Sequence, residues 1–160
     1  MIPEKLCMDI SQGFSIELLE AEMLKHKQVD CPVIHRLSPG LYIREVRIPA
    51  GTVAIGHFQK TEHLNIFLQG RVTMLNENGT TSELVAPMIF TGKPGRKVGY
   101  INEDMIWMNI YPTTETDIEK LESTYLDKSD SWKQLKGFEN RSIETIVNLG
   151  EIQCQQLQQP

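Results

Sequence analysis

The chain has 160 residues, a length typical of one domain, and 40% of them are hydrophobic, which is enough for a packed core. Its formal net charge of −5 argues against general binding to nucleic acid or to an anionic membrane, because either partner requires a basic face. The sequence contains no apolar run of about 18 residues, so no membrane span is predicted.

The cysteines are Cys7, Cys31 and Cys154, and no two of them form a CxxC pair. Their odd number and wide spacing indicate neither a zinc knuckle nor a redox motif. A reduced, cytoplasmic setting is the simplest interpretation. The N-terminal stretch lacks a basic region followed by an apolar region, so no secretory signal is predicted.

The first predicted element is a helix in the stretch SQGFSIELLEAEMLKHKQ, with Ser15 as its cap. The Ser15 hydroxyl can cap the helix by accepting a backbone N–H of the first turn. The next stretch, DCPVIHRLSPG (30–40), contains two prolines and a glycine and is typical of a connector that ends in a turn. Residues 1–37 are therefore predicted to form an N-terminal helical segment and connector.

A series of short strands is predicted from residue 41 to residue 112. The segments rich in β-branched and aromatic residues are LYIREVRI, TVAIGHF, HLNIFLQ, RVTML, SELVAP, MIFT, KVGYI and MIWMNIY. Turn sequences separate them, and NENG (76–79) is the clearest hairpin signal because Asn and Gly tolerate positive φ. The pattern predicts a mainly β fold, a single barrel or jelly roll covering residues 38–113.

Helical patterns return in the C-terminal segment, residues 114–160. TDIEKLESTYL resembles a capping box, with Thr116 as the cap and Glu119 three residues later. SDSWKQLKGF is a second short helical candidate. The glutamine-rich tail NLGEIQCQQLQQP is predicted to be a frayed helix or a disordered end.

Two histidines and a glutamine lie close together in GTVAIGHFQKTEHLNIFLQG (51–70). Residues two apart on a strand point to the same side, so His57 and Gln59 are expected to share a face, and His63 can rejoin them after a bend. Such donors can hold a divalent metal such as Fe, Zn, Mn or Ni. Three interpretations stay open: a metal site, a metal-free pocket for a small molecule, and hydrogen-bonded core histidines.

The spacing of this stretch resembles the first motif of the cupin superfamily. That motif places glycine, five residues, histidine, one residue, histidine, three or four residues, glutamate, six residues and glycine. The corresponding residues here are Gly51, His57, Gln59, His63 and Gly70. The spacing fits at every step, but the second histidine is replaced by Gln59 and the glutamate by His63.

The second cupin motif has its counterpart in GKPGRKVGYIN. Pro94 and Gly95 supply the turn and Asn102 the asparagine, but the family's histidine position falls at Val98. Residues 38–125 also resemble small cupin-like proteins often carried by bacteriophages, in which the stretch HKTEH corresponds to QKTEH here. The resemblance implies a cupin-like jelly roll with flanking helices, a homodimer and, if the chain is phage-encoded, the host cytoplasm.

A pocket in the barrel would also use aromatic, amide and basic side chains. Tyr100 and Trp107 are candidates for its lining and Asn65 for a polar contact, although ordinary core packing is the favoured explanation for any single aromatic residue. Arg44 and Arg96 are suited to bind an anionic ligand. The alternative is that they lie on solvated loops. With the two histidines and the glutamine, these residues form the predicted ligand-binding set.

The functional hypothesis is a small-molecule-binding protein. The ligand is expected to be anionic or nucleotide-like, and in a phage-like setting binding would sequester a host signalling molecule. The alternative is a metal-dependent enzyme of the isomerase, epimerase or dioxygenase type with a reduced ligand set. A third hypothesis is a structural or interaction role with a filled barrel interior. No catalytic residue is predicted.

Overall fold

Ten strands and three short helices form the described part of the chain, residues 15–135 and 145–148 of a computed structural model. The helices are α1 (Ile16–Met23), α2 (Ile118–Tyr125) and α3 (Asp130–Lys133). The strands are β1 (Val33–Ser38), β2 (Leu41–Ile48), β3 (Thr52–Ile55), β4 (Phe58–Gln59), β5 (His63–Leu75), β6 (Thr81–Val85), β7 (Met88–Gly92), β8 (Val98–Pro112), β9 (Leu126–Asp127) and β10 (Thr145–Asn148).

Strand β8 is the centre of the main sheet. Its neighbours along the sheet follow the order β1-β2-β8-β3-β10, and β5 pairs with β8, β6 and β7. All of these pairings are antiparallel. The C-terminal half of β8 lies between β2 and β5, while its N-terminal half pairs with β3 and β5. The predicted mainly β fold with flanking helices is therefore confirmed.

The longest strands are longer than the sequence pattern indicates. HLNIFLQ and RVTML form one strand, β5, that continues through Gly70. Gly70 has φ 103, and a Cβ at this position would lie 2.6 Å from the carbonyl oxygen of Asp104 on β8. The register between β5 and β8 shifts on both sides of this point. The glycine thus permits a bulge where the turn residues of the sequence suggested a break.

Two hydrophobic clusters lie on opposite sides of the β3 region. Inside the barrel, Phe67, Val72 and Trp107 are among the buried residues of the main core. Outside it, Leu19 and Met23 of α1 pack in a cluster with three strand residues, Val53, Ile55 and Val98. As predicted, Ser15 caps α1, accepting a hydrogen bond from Leu18 N.

Three further predictions can be compared with the structure. The NENG hairpin is confirmed: Gly79 has φ 79 and donates its N–H to Asn76 O. The stretch interpreted as a connector contains strand β1, because its prolines stand outside the strand and leave 33–38 able to pair. The cap of α2 is Asp117 rather than Thr116, since its carboxylate accepts from Lys120 N.

The sheet extends beyond residues 38–113 at both ends. β1 begins at Val33, and β10 pairs with β3 from the C-terminal segment. The prediction for the tail after residue 148 lies outside the described residues. Among those that are described, no helix is long and apolar enough to cross a membrane.

Candidate functional site

A cavity of about 90 Å³ lies inside the barrel. Its walls are mostly apolar, with Ala54 from β3, Val72 from β5, Ile101 and Met105 from β8 among them. Four polar side chains complete the lining: His57, Gln59, Lys97 and Asn109. A small apolar space with a few polar groups is the usual composition of a small-molecule site.

An open groove adjoins this cavity. It measures about 600 Å³ and lies between the β5–β6 hairpin and the turn that precedes β8. Met74, Lys97 and Trp107 line both spaces, so the groove is the natural approach to the cavity. Its remaining lining is largely polar and includes Asn76, Glu77, Asn78, Ser82 and Arg96.

His57 forms part of the cavity wall, and residues of the C-terminal segment cover its side away from the cavity. The imidazole is 2% exposed and meets the ring of Trp132, on α3, edge to face at 5.0 Å between centroids. The ammonium group of Lys128 lies 5.1 Å from the same indole centroid. Residues that lie more than 70 positions after His57 in the chain thus complete its surroundings.

Gln59 lies on β4, a two-residue strand held from both sides. It pairs with Leu126 of β9, and its backbone exchanges hydrogen bonds with Gly95. Its side-chain oxygen accepts a hydrogen bond from the hydroxyl of Tyr111 at 2.5 Å. The Tyr111 ring stacks on Tyr125 of α2 at 4.2 Å. Gln59 is therefore fixed by side-chain and backbone contacts together.

His63 and Asn65 belong to a buried network beside the cavity. Asn65 Oδ1 accepts hydrogen bonds from Trp107 Nε1 at 2.9 Å and from Asn109 Nδ2 at 2.7 Å. Because two donors meet this atom, it is the amide oxygen, and Asn65 Nδ2 points the other way. That nitrogen faces Gly92, where a Cβ would collide with it and would lie 2.9 Å from His63 Nε2.

The charge state of His63 follows from its environment. Its Nδ1 lies 2.9 Å from the carbonyl oxygen of Thr61, which only accepts, so Nδ1 carries the proton and donates. Burial lowers the pKa of His63, and the opposing effect of the Thr61 carbonyl does not cancel this shift. The imidazole is therefore a neutral member of the network, with Nε2 unprotonated.

The donor set does not fit a resident metal ion. Within residues 15–135 and 145–148, no three His, Cys, Asp or Glu side chains come together with the geometry of a metal site. The side-chain oxygen of Gln59 is engaged by Tyr111, and Val98, at the family's fourth ligand position, packs under α1 outside the barrel. His57, Gln59 and His63 thus lack the strong third and fourth ligands that tight binding needs.

The two arginines of the predicted ligand-binding set have carboxylate partners. Arg44 is 1% exposed and its Nε lies 3.2 Å from Glu122 Oε1 on α2. Arg96 forms a two-pronged ion pair with Glu20 on α1, at 2.9 and 2.7 Å. Arg44 does not line the cavity, and Arg96 borders only the outer groove.

The remaining predicted residues divide between the two sides of the barrel wall. Trp107 lines the cavity, as do His57 and Gln59. Tyr100 packs instead with the cluster under α1, on the opposite side of the sheet. The set omitted Asn109, which lines the cavity. The period-two pattern of β8 carries the missing signal, because it places Asn109 on the same face as Trp107.

Comparisons with known proteins yield likenesses of fold at low identity. No protein-family model matches the chain, and no curated protein matches it. Among solved structures, a cupin domain from Bordetella pertussis Tohama I is 16% identical, with 56% of this chain and 99% of that chain covered and a TM-score of 0.42. Ectoine synthase from P. lautus is 14% identical, with 64% and 84% covered and a TM-score of 0.45.

A third likeness is to a protein described as FeII HppE in complex with substrate. It is 9% identical, with 49% of this chain and 51% of that chain covered and a TM-score of 0.40. The iron(II) ion is a feature of that protein. All three TM-scores are below 0.5, so these likenesses indicate nothing about the chemistry of the site in this chain.

Proposed function

We propose that this cupin-like chain is a small-molecule-binding protein that holds the apolar part of a small carboxylate in its barrel. The observation that carries the proposal is the joined pair of spaces: an apolar inner cavity and a polar outer groove that share Met74, Lys97 and Trp107. An amphipathic ligand matches this arrangement, because its apolar end is removed from water while its charged end stays in the groove.

The size of the cavity limits what enters it. One water molecule occupies about 30 Å³ of the liquid, and a cavity of about 150 Å³ accommodates benzene. The inner space, about 90 Å³, is therefore suited to a short or branched aliphatic group rather than to an aromatic ring. The outer groove, about 600 Å³, lies within the usual range for ligand sites.

Positive charge at the site favours a single anionic group. Lys97 borders both spaces. The guanidinium of Arg96 forms an ion pair with Glu20 and that of Arg44 with Glu122. One ammonium group suits a carboxylate, while a polyphosphate calls for several cations or a metal ion. For this reason we favour a small carboxylate over the nucleotide-like host signalling molecule that the sequence suggested. A nucleotide would have to lie mainly in the groove.

Calorimetric titration tests the proposal. The panel consists of isobutyrate, isovalerate, benzoate and a nucleoside monophosphate, and we expect the branched aliphatic acids to bind most tightly. Lys97→Met should weaken their binding about tenfold or more, since a charge-assisted contact contributes about 1.5–3 kcal/mol. Lys93→Met, which removes an exposed lysine from the same turn, is the matched control and should leave binding unchanged.

A variant that fills the cavity provides a second test of the proposal. Ala54→Leu adds volume to the apolar wall and should abolish binding of the branched acids, with thermal unfolding used to verify that the variant folds. No heat of binding from any member of the panel would overturn the proposal. Binding that survives Ala54→Leu would place the ligand outside the barrel, and tighter binding of the nucleotide would favour the nucleotide hypothesis.

A further inference from the structure

The amide side chains in the wall of the inner cavity are each held in one orientation. Gln59 on β4 is 8% exposed and Asn109 on β8 is 6% exposed, and both line the cavity. An amide group has a donor end and an acceptor end. The contact that the protein makes with one end therefore decides which end is left for a ligand.

The orientation of Asn109 follows from the indole of Trp107. An indole nitrogen only donates, and it lies 2.9 Å from Asn65 Oδ1, so this Asn65 atom is an acceptor. Asn109 meets the same atom at 2.7 Å and must therefore donate to it through Nδ2. The oxygen Oδ1 is the end of the Asn109 amide that remains for the cavity.

Gln59 presents the opposite end of its amide. Its Oε1 accepts a hydrogen bond from the hydroxyl of Tyr111, so the donor Nε2 remains. Asn109 and Tyr111 are two apart on β8 and share a face, which places the two amides on neighbouring parts of one wall. Within residues 15–135 and 145–148, neither Gln59 Nε2 nor Asn109 Oδ1 forms a hydrogen bond with the protein, and both keep some accessible surface.

A ligand hydroxyl group is complementary to this pair of atoms. Its O–H can donate to Asn109 Oδ1 while its oxygen accepts from Gln59 Nε2. A methyl group of the same size satisfies neither amide, and leaving a buried amide without a partner is costly. A site that hydrogen-bonds a ligand hydroxyl group therefore rejects the analogue that lacks it, much more strongly than a plain apolar pocket distinguishes the two.

We propose that the ligand is a short hydroxylated carboxylate whose hydroxyl group lies between Gln59 and Asn109 in the inner cavity. This inference rests on the proposed function and narrows its ligand class. The carboxylate stays beside Lys97, which borders both spaces, and the branched aliphatic part contacts the apolar wall. The two amides thus select for the hydroxyl group, and the lysine selects for the charge.

Calorimetric titration with two isosteric pairs of acids tests this proposal on the full chain. In each pair a hydroxyl group replaces one methyl group: β-hydroxyisovalerate against tert-butylacetate, and α-hydroxyisobutyrate against pivalate. The pairs differ in the distance between the hydroxyl group and the carboxylate. In at least one pair, we expect the hydroxylated acid to bind about tenfold or more tightly than its isostere, since two hydrogen bonds are gained.

Substitutions identify the side chains that recognise the hydroxyl group. Gln59→Met and Asn109→Leu each remove one amide at similar side-chain size, so the preference for the hydroxylated acid should fall to about twofold or less. Asn102→Leu is the matched control, because this β8 amide bonds to Thr73 instead of lining the cavity, and it should keep the preference. Circular dichroism verifies that each variant folds, and the preference is a ratio measured within one variant.

The outcomes separate this inference from the proposed function. If none of the acids binds the unaltered chain, the proposed function is overturned and the inference with it. If the acids bind but neither hydroxylated acid is preferred, the inference alone is overturned. A preference that persists in both Gln59→Met and Asn109→Leu would also overturn it, because another group would then recognise the hydroxyl.

Discussion

Two buried polar clusters in this barrel are built on different principles. The first is ionic: Arg44 on β2 pairs with Glu122 on α2, and Lys128 pairs with the same carboxylate at 2.9 Å. The second is neutral: the side chains of His63, Asn65, Trp107 and Asn109 lie beside the cavity. The ionic cluster joins a helix to the sheet, while the neutral one borders the inner cavity, which Trp107 and Asn109 line.

The difference lies in how the buried polar groups are compensated. A buried ion pair compensates its charges internally and offers little to a ligand. Neutral amides and imidazoles keep donors and acceptors that face a cavity without a large desolvation cost. Removing one member of each cluster tests this difference, because the free energy of unfolding should fall by a different amount in each case.

The largest effect is expected at the ionic cluster. Glu122→Ala leaves Arg44 in a nearly inaccessible position without its carboxylate, so the free energy of unfolding should fall by about 3–5 kcal/mol. Urea denaturation measures the loss. Glu22→Ala, which removes an exposed ion pair with Lys25, is the control and should cost about 1 kcal/mol or less. Equal losses in the two variants would contradict the structural role assigned to the Arg44–Glu122 pair.

A smaller effect is expected where the neutral cluster is most tightly packed. Gly92→Ala places a methyl group against Asn65 Nδ2 and close to His63 Nε2, so the free energy of unfolding should fall by about 1–3 kcal/mol through overpacking. Thermal unfolding measures the change, with Thr91→Ala, at the exposed neighbouring position, as the control. A neutral outcome at Gly92 would mean that the network has room to adjust.

The smallest effect concerns protonation. Burial lowers the pKa of both His63 and His35, so the unfolded chain takes up protons before the folded chain does. Stability should be complete above the ordinary histidine value of about 6.5 and should decline as the pH falls below it. Urea midpoints between about pH 7.5 and about pH 5 measure this decline.

Substitution isolates the contribution of the histidines from that of the acids. His63→Gln should flatten the decline, whereas Thr91→Ala, which removes no titratable group, should leave its slope unchanged. If the two variants follow the same curve, His63 contributes nothing to the pH dependence.

Local pattern predicted much of the fold. LYIREVRI alternates buried and outward residues, and the structure has a strand over Leu41–Ile48. β5 and β8 were predicted only in pieces, because a bulge at Gly70 keeps a strand continuous where turn-like residues suggest an end. Strand β1 was missed, since its flanking prolines resemble those of a connector.

The site was predicted where a motif with defined spacing existed. The spacing of His57 and Gln59 placed both side chains at the cavity. The position of Arg44 was not predictable in this way, because its partner Glu122 is 78 residues away and only the tertiary fold brings them together. Sequence reasoning therefore identified the residue types but could not assign Arg44 to an ion pair rather than to a ligand.

Because Trp132 covers His57, the sheet and the wall of the cavity form at different times during synthesis. During synthesis the chain emerges from its N-terminus, and domains fold as their residues become available. Strands β1 to β3 and β5 to β8 can pair before α2, β9 and α3 have been synthesised, but β4 lacks its partner β9 and the outer side of His57 is not closed until Trp132 arrives. The wall of the cavity is thus completed after the barrel, and a nascent chain acquires its sheet before its cavity is enclosed.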